Sequence, residues 1–124
     1  MSLEDNKNTV VAFYTQTFNA KDPEGAAAYL GDHYIQHNPA AVDGIEGYLA
    51  FAHASQKRAP QLHADIKRVI AEGNYVVTHT RMTIPGSPTR SVMDIWRLED
   101  GKIVEHWDAI QVVPETAAND NTMF

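Results

Sequence analysis

Five residues able to move protons fall in three short segments of this 124-residue chain. His37 lies in Tyr34-Ile35-Gln36-His37-Asn38-Pro39 and His79 in Val77-Thr78-His79-Thr80. Asp94, His106 and Asp108 lie in the run from Asp94-Ile95-Trp96-Arg97 to Gly101-Lys102-Ile103-Val104-Glu105-His106-Trp107-Asp108. Carboxylates and imidazoles aimed into one apolar cavity are the usual equipment of cofactor-free proton transfer. Other chemistries lack their residues. The absence of cysteine excludes thiol nucleophiles, disulfides and Cys-ligated metals. No Gly-x-Ser-x-Gly elbow, dinucleotide fingerprint or P-loop occurs, and Gly44-x-x-Gly47 is too short to cradle a phosphate. His33 and His37 are four apart but lack the glutamate of a zinc-protease helix and run into Pro39. Neither a metal nor an organic cofactor is expected.

Helices and then strands must position these residues. Ser2 and Asp5 have the spacing of a capping box, after which Val10, Phe13 or Tyr14, and Thr17 or Phe18 recur at helical spacing. Asp22-Pro23 restarts a helix over about 23–30 that Gly31 ends. Residues His33–Asn38 are short and mixed, with Pro39 driving Asn38 from the helical region. Asp43 caps a third helix near 44–58, closed by Pro60. Then come four strand-like runs, Leu62–Glu72, Tyr75–Ile84, Thr89–Leu98 and Lys102–Val113. Gly73-Asn74, Pro85-Gly86-Ser87-Pro88 and Asp100-Gly101 punctuate them. The expected fold is α+β: three N-terminal helices on a curved antiparallel sheet of at least four strands, shaped as a cone or barrel. One domain covers residues 1–124, with 115–124 reading as a mobile tail.

Register decides which side chains share a face. A symmetric Pro85–Pro88 turn sets His79 opposite Asp94. A two-residue Asp100-Gly101 turn sets Asp94 opposite Trp107. A three-residue Glu99-Asp100-Gly101 turn with Gly101 left-handed sets Asp94 opposite His106 instead. The three-residue turn is preferred, because only Gly101 then needs a positive φ. Val92, Asp94, Trp96, His106, Asp108 and Ile110 would share one face with His79. Simpler roles compete with the chemical ones: His79 bonding a backbone carbonyl, Asp94 paired with Arg81, and aromatic residues such as Phe13 serving only as core.

The same segments resemble the SnoaL-like polyketide cyclase family, small α+β barrel proteins. The resemblance covers about residues 5–114 and is strongest over Asp94–Asp108 and next over Tyr34–Pro39. It implies intramolecular aldol condensation without metal or organic cofactor, with Asp108 at the position of the general base on the last strand. Asp94 would orient or polarise it, while His79 and His37 would bind the developing enolate. Tyr14, Tyr34, Phe51, Trp96, His106 and Trp107 would line the substrate site, with Tyr14 available as an oxyanion donor as in ketosteroid isomerases. The resemblance also implies pairing through the outer sheet face, which Trp107 would occupy. The Asp-Arg-Asp arrangement of limonene-type epoxide hydrolases is broken at Val92 unless Arg81 substitutes. A non-catalytic module that binds a small hydrophobic molecule, or that only dimerises, is the alternative.

Composition narrows the partners. A hydrophobic content of 44% with 21% charged residues suits a folded soluble chain. The net charge of −6 and the lack of a basic run disfavour nucleic acid. No apolar stretch approaches the ~18 residues of a membrane span, and no leader pattern opens the chain. The expectation is a cytoplasmic homodimer that binds a small apolar molecule.

Overall fold

The computed structural model describes residues 1–124. Helix α1, Leu3–Phe18, opens on the expected capping box: the Ser2 hydroxyl accepts from Asp5 N–H and the Asp5 carboxylate accepts from Ser2 N–H. Val10, Phe13, Tyr14 and Thr17 form its buried stripe. Asp22 accepts from Gly25 N–H and Pro23 opens the short helix α2, Pro23–Ala26, which tightens into a 3-10 turn over Ala27–Tyr29. Helix α3 covers Gly44–Arg58. Asp43 precedes it without capping it; its carboxylate instead accepts from Gln36 N–H at 2.8 Å.

The segment read as irregular is a strand, β1, Leu30–Gln36. Gly31 therefore ends no helix. It lies where an added Cβ would come within 2.8 Å of Val104 Cγ1, so it lets β1 approach the last strand closely. Strands β2 (His63–Glu72), β3 (Tyr75–Thr83), β4 (Arg90–Glu99) and β5 (Lys102–Val112) form the antiparallel meander. Strand β1 joins β5 in parallel, giving the order β1-β5-β4-β3-β2. The fold is α+β with a curved, mostly antiparallel sheet that stays open at β1 and β2. Helices α1 and α3 cover its concave face, where Val10, Phe13, Leu30, Trp96, Leu98 and Ile103 meet in the core. No helix is long and apolar enough to cross a membrane.

Two registers differ from expectation. Between β3 and β4, Ser87 N–H bonds to Ile84 O at 3.0 Å with Gly86 at φ 80°. Pro85-Gly86 thus forms the centre of a type II turn, placed one residue earlier than a symmetric loop would have it. Thr78 faces Asp94 and His79 faces Met93, so His79 is on the convex side. Between β4 and β5 the turn has two residues, with Asp100 at φ 49° and Gly101 at φ 76°, and Glu99 faces Lys102. Asp tolerates the left-handed conformation that this turn requires. A bulge then intervenes: Leu98 faces Ile103 but Arg97 faces Glu105, leaving Val104 as the extra residue. The bulge restores the face that the three-residue turn would have produced. Asp94 lies across from Asp108 and Trp96 from His106.

Candidate active site

Alternation on β4 and β5 places Asp94, Trp96, His106 and Asp108 on the concave face. Asp94 is 2% exposed. Its Oδ1 lies 2.7 Å from His106 Nε2, and its Oδ2 has no hydrogen-bond partner. Asp108 Oδ2 lies 4.0 Å from the same His106 nitrogen. The His106 ring is packed on Trp96 at 4.2 Å between centroids, and Trp96 Nε1–H donates to Thr78 Oγ1 at 3.1 Å.

Two residues of the segment read as short and mixed, neither of them expected in the site, complete it. Gln36 Oε1 accepts from Asn38 N–H at 3.0 Å and from His106 Nδ1–H at 2.7 Å. The backbone N–H fixes which end of the amide faces His106, and a carbonyl oxygen can only accept, so Nδ1 carries a hydrogen. The contact between His106 Nε2 and Asp94 therefore holds one further proton, on one atom or the other. Asn38 Nδ2–H donates to Asp108 Oδ2 at 2.8 Å, while its own Oδ1 accepts from Ala40 N–H. Strand alternation was the available signal: with Tyr34 inward, Gln36 and Asn38 follow it and His37 does not.

A cavity of about 380 Å³ opens above these groups. Tyr14, Tyr34, Phe51, Trp96 and His106, five of the six expected binding residues, line it together with Asp94 and Asp108. Phe13, Met82, Val92 and Ile110 add apolar wall. Burial pushes the Asp94 carboxyl up; the His106 contact pulls it back only in part, and the Asp108 charge adds to the rise. Burial first, then the neighbouring Asp94 charge, pushes the Tyr14 phenol well up, and burial does the same for Tyr34. Both phenols stay protonated and available as donors.

Three expected site residues lie elsewhere. His79 faces the convex side, where it contacts Arg68, lies 3.1 Å from Ser91 Oγ and stacks on Phe124. The one-residue change in the β3–β4 register put it there. His37 points outward from the end of β1, its ring stacked on Trp107 at 4.7 Å and 2° and its Nε2 2.7 Å from Glu105 Oε2. Trp107 shares that outer face with Ile95 and lines no part of the cavity. Arg81 is also convex, across from Ser91, so it forms no pair with Asp94 and cannot complete an Asp-Arg-Asp set. Asp94, His106 and Asp108 each offer an atom within 4.8 Å of the others, the one cluster with the ligand types for a cation. Asp108 Oδ2 is engaged by Asn38 and Asp94 Oδ1 by His106, an arrangement suited to sharing protons.

The SnoaL-like domain model matches residues 10–106. A search of curated proteins finds no match. Among solved structures, TsrD from Streptomyces laurentii has a TM-score of 0.75 at 23% identity, covering 89% of this chain and 90% of that one. A candidate ketosteroid isomerase from Kribbella flavida reaches 0.77 at 17% identity, over 98% and 89%. A candidate polyketide cyclase from Bacillus cereus reaches 0.75 at 21% identity, over 86% and 74%. At these identities the structures establish a shared fold, while the matched model spans most of the chain from α1 into β5. On that match the chain belongs to the SnoaL-like domain family.

Proposed function

We propose that this chain is a cofactor-free acid–base enzyme acting on an apolar, carbonyl-bearing small molecule, by aldol cyclisation or isomerisation. The observation that carries the reading is Asp94: a carboxyl almost wholly buried, bonded to His106 and neighboured by the Tyr14 phenol, at an apolar cavity. Burying a carboxyl beside an imidazole and a second carboxyl is costly, and such groups collect at sites that move protons.

In this mechanism Asp108, aimed by Asn38, removes a proton from the carbon next to a substrate carbonyl. The C–H electrons become the enolate, and the negative charge moves to the carbonyl oxygen. Tyr14 O–H donates to that oxygen, one well-aimed donor contributing about 3–4 kcal/mol, while the proton held between Asp94 and His106 is the one available for transfer. For an aldol step the enolate carbon attacks a second carbonyl, the Asp94–His106 pair protonates the resulting alkoxide, and Asp108, 4.0 Å from His106 Nε2, passes its proton back to the pair and is a base again. For an isomerisation Asp108 returns its proton to a different carbon. His106 takes the place that His79 and His37 held in the sequence reading.

The test is deuterium exchange at the acidic C–H of apolar 1,3-diketones, followed by NMR. The native chain should accelerate exchange, and Asp108→Asn should lose about 10²–10⁴ of that acceleration while remaining folded. Equal exchange in both would refute the assignment of Asp108 as base. Diketone binding without any exchange by the native chain would instead favour a non-catalytic ligand-binding module.

A further inference from the structure

The cavity has a second polar end. Arg58, the last residue of α3, and Arg90, the first of β4, both line it, together with Ser87. Arg90 lies on the concave face four residues before Asp94, which puts it about 13 Å away along the strand. Met82, Ile84 and Val92 line the cavity between these ends. The only carboxylates lining it, Asp94 and Asp108, are at the far end.

Arg58 and Arg90 are the two basic residues that line the cavity; Lys57, the other cation with no partner, does not line it. Lys7, Lys67 and Arg97 are paired with Glu4, Asp65, and Glu99 and Glu105. Lys21 and Lys102 donate to backbone carbonyls, Arg68 contacts His79, and Arg81 lies over Phe124. Arg58 and Arg90 have neither an ion pair nor a hydrogen bond, although the chain carries sixteen acidic residues against ten basic ones. A surface with that excess of carboxylate would ordinarily supply partners. Two free planar donor forks at one cavity mouth suit an oxyanion brought by a ligand.

We propose that the cavity takes an amphipathic anion, with a carboxylate or phosphate held at the mouth by Arg90 and Arg58. The apolar body would lie along Met82, Ile84 and Val92, and the reacting carbonyl end at Asp94, His106 and Asp108. This deepens the function proposed above and rests on the same cavity being the substrate site. It also explains how a chain of net charge −6 would admit an anion. The long-range field is unfavourable, but the last few ångströms are basic.

Calorimetric titration of decanoate, decyl phosphate and 1-decanol tests it, because all three share a chain and differ in the head group. Decanoate or decyl phosphate should bind the native chain at least tenfold more tightly than 1-decanol, and whichever binds better identifies the head group. Arg90→Gln should reduce that preference about tenfold, Arg58→Gln less because its side chain is exposed, and Arg90→Lys should retain most of it. Near-ultraviolet circular dichroism of Trp96 verifies the fold of each variant. Equal binding of anion and alcohol by the native chain would overturn the proposal while leaving the acid–base reading intact. Anion preference undiminished in the Arg58→Gln, Arg90→Gln double variant would overturn it too. If no chain binds at all, both this proposal and the apolar-substrate reading fall.

Discussion

Asp94 makes the native state hold a proton more tightly than the unfolded chain does, because burial raises its carboxyl above the ordinary value of about 3.9. A raised folded value means that its contribution to stability is complete below the unfolded value. That contribution is lost as pH rises through the folded one. Asp94→Asn removes this titration and keeps an acceptor for His106 Nε2–H. Thermal unfolding should therefore show the variant gaining on the native chain between acidic and neutral pH, with the difference flat at both extremes. A pH-independent difference would contradict the burial argument. Gln36 acts one contact further back. Gln36→Leu keeps the size but leaves His106 Nδ1–H without its acceptor, so nitrogen-15 NMR should show the ring changing its hydrogen distribution. Catalysed exchange should fall about 10–100-fold with little change in diketone affinity, as expected of a positioning residue. A loss confined to affinity would assign Gln36 to binding instead.

The bulge at Val104 matters more for β5 than any propensity does. Without it the two-residue Asp100-Gly101 turn would send His106 and Asp108 to the convex face and bring Trp107 inward. Deleting Val104 should thus abolish catalysed exchange while far-ultraviolet circular dichroism still reports the strands. Retention of activity would mean that β5 can rebuild its register by another route. Helix starts and strand ends were readable because their signals are local: Ser2 with Asp5, Asp22-Pro23, Gly73-Asn74 and Asp100-Gly101 each satisfy or bend the backbone within four residues. Strand β1 was not, since Leu-Gly-Asp-His-Tyr-Ile-Gln has neither clean alternation nor an apolar run, and its partner β5 lies about seventy residues away. The site suffered in the same way. Asp94, His106 and Asp108 were legible from chemical type, whereas Gln36 and Asn38 needed the orientation of β1, and His79 needed the true centre of the Pro85-Gly86 turn.

Across the whole molecule the helices shield one face of the sheet, while the other is covered only in part, by Phe124 over His79. Ile70, Met93 and Ile95 are 59%, 46% and 41% exposed there, beside Tyr75 and the half-buried Trp107. An apolar sheet face of this kind calls for a cover, and a second copy of the chain presents a matching one. Sedimentation should give a dimer mass, and Ile95→Lys should shift the mass to a monomer without unfolding the chain. A native chain that stays monomeric at high concentration would remove the dimer.

The parallel seam between β1 and β5 has a consequence for the order of folding. Gln36 and Asn38 reach His106 and Asp108 from 70 positions earlier in the chain, so the early strand must wait beside the helices until the last one arrives. Closing so wide a loop is the slow part of a non-local topology. The meander can form hairpin by hairpin as the chain emerges, but its imidazole and carboxyls gain their orienting amides only when the first third docks on the final strand. Assembly of the proposed site is thereby tied to completion of the sheet, and a partly made chain carries its acids and bases without the amides that orient them.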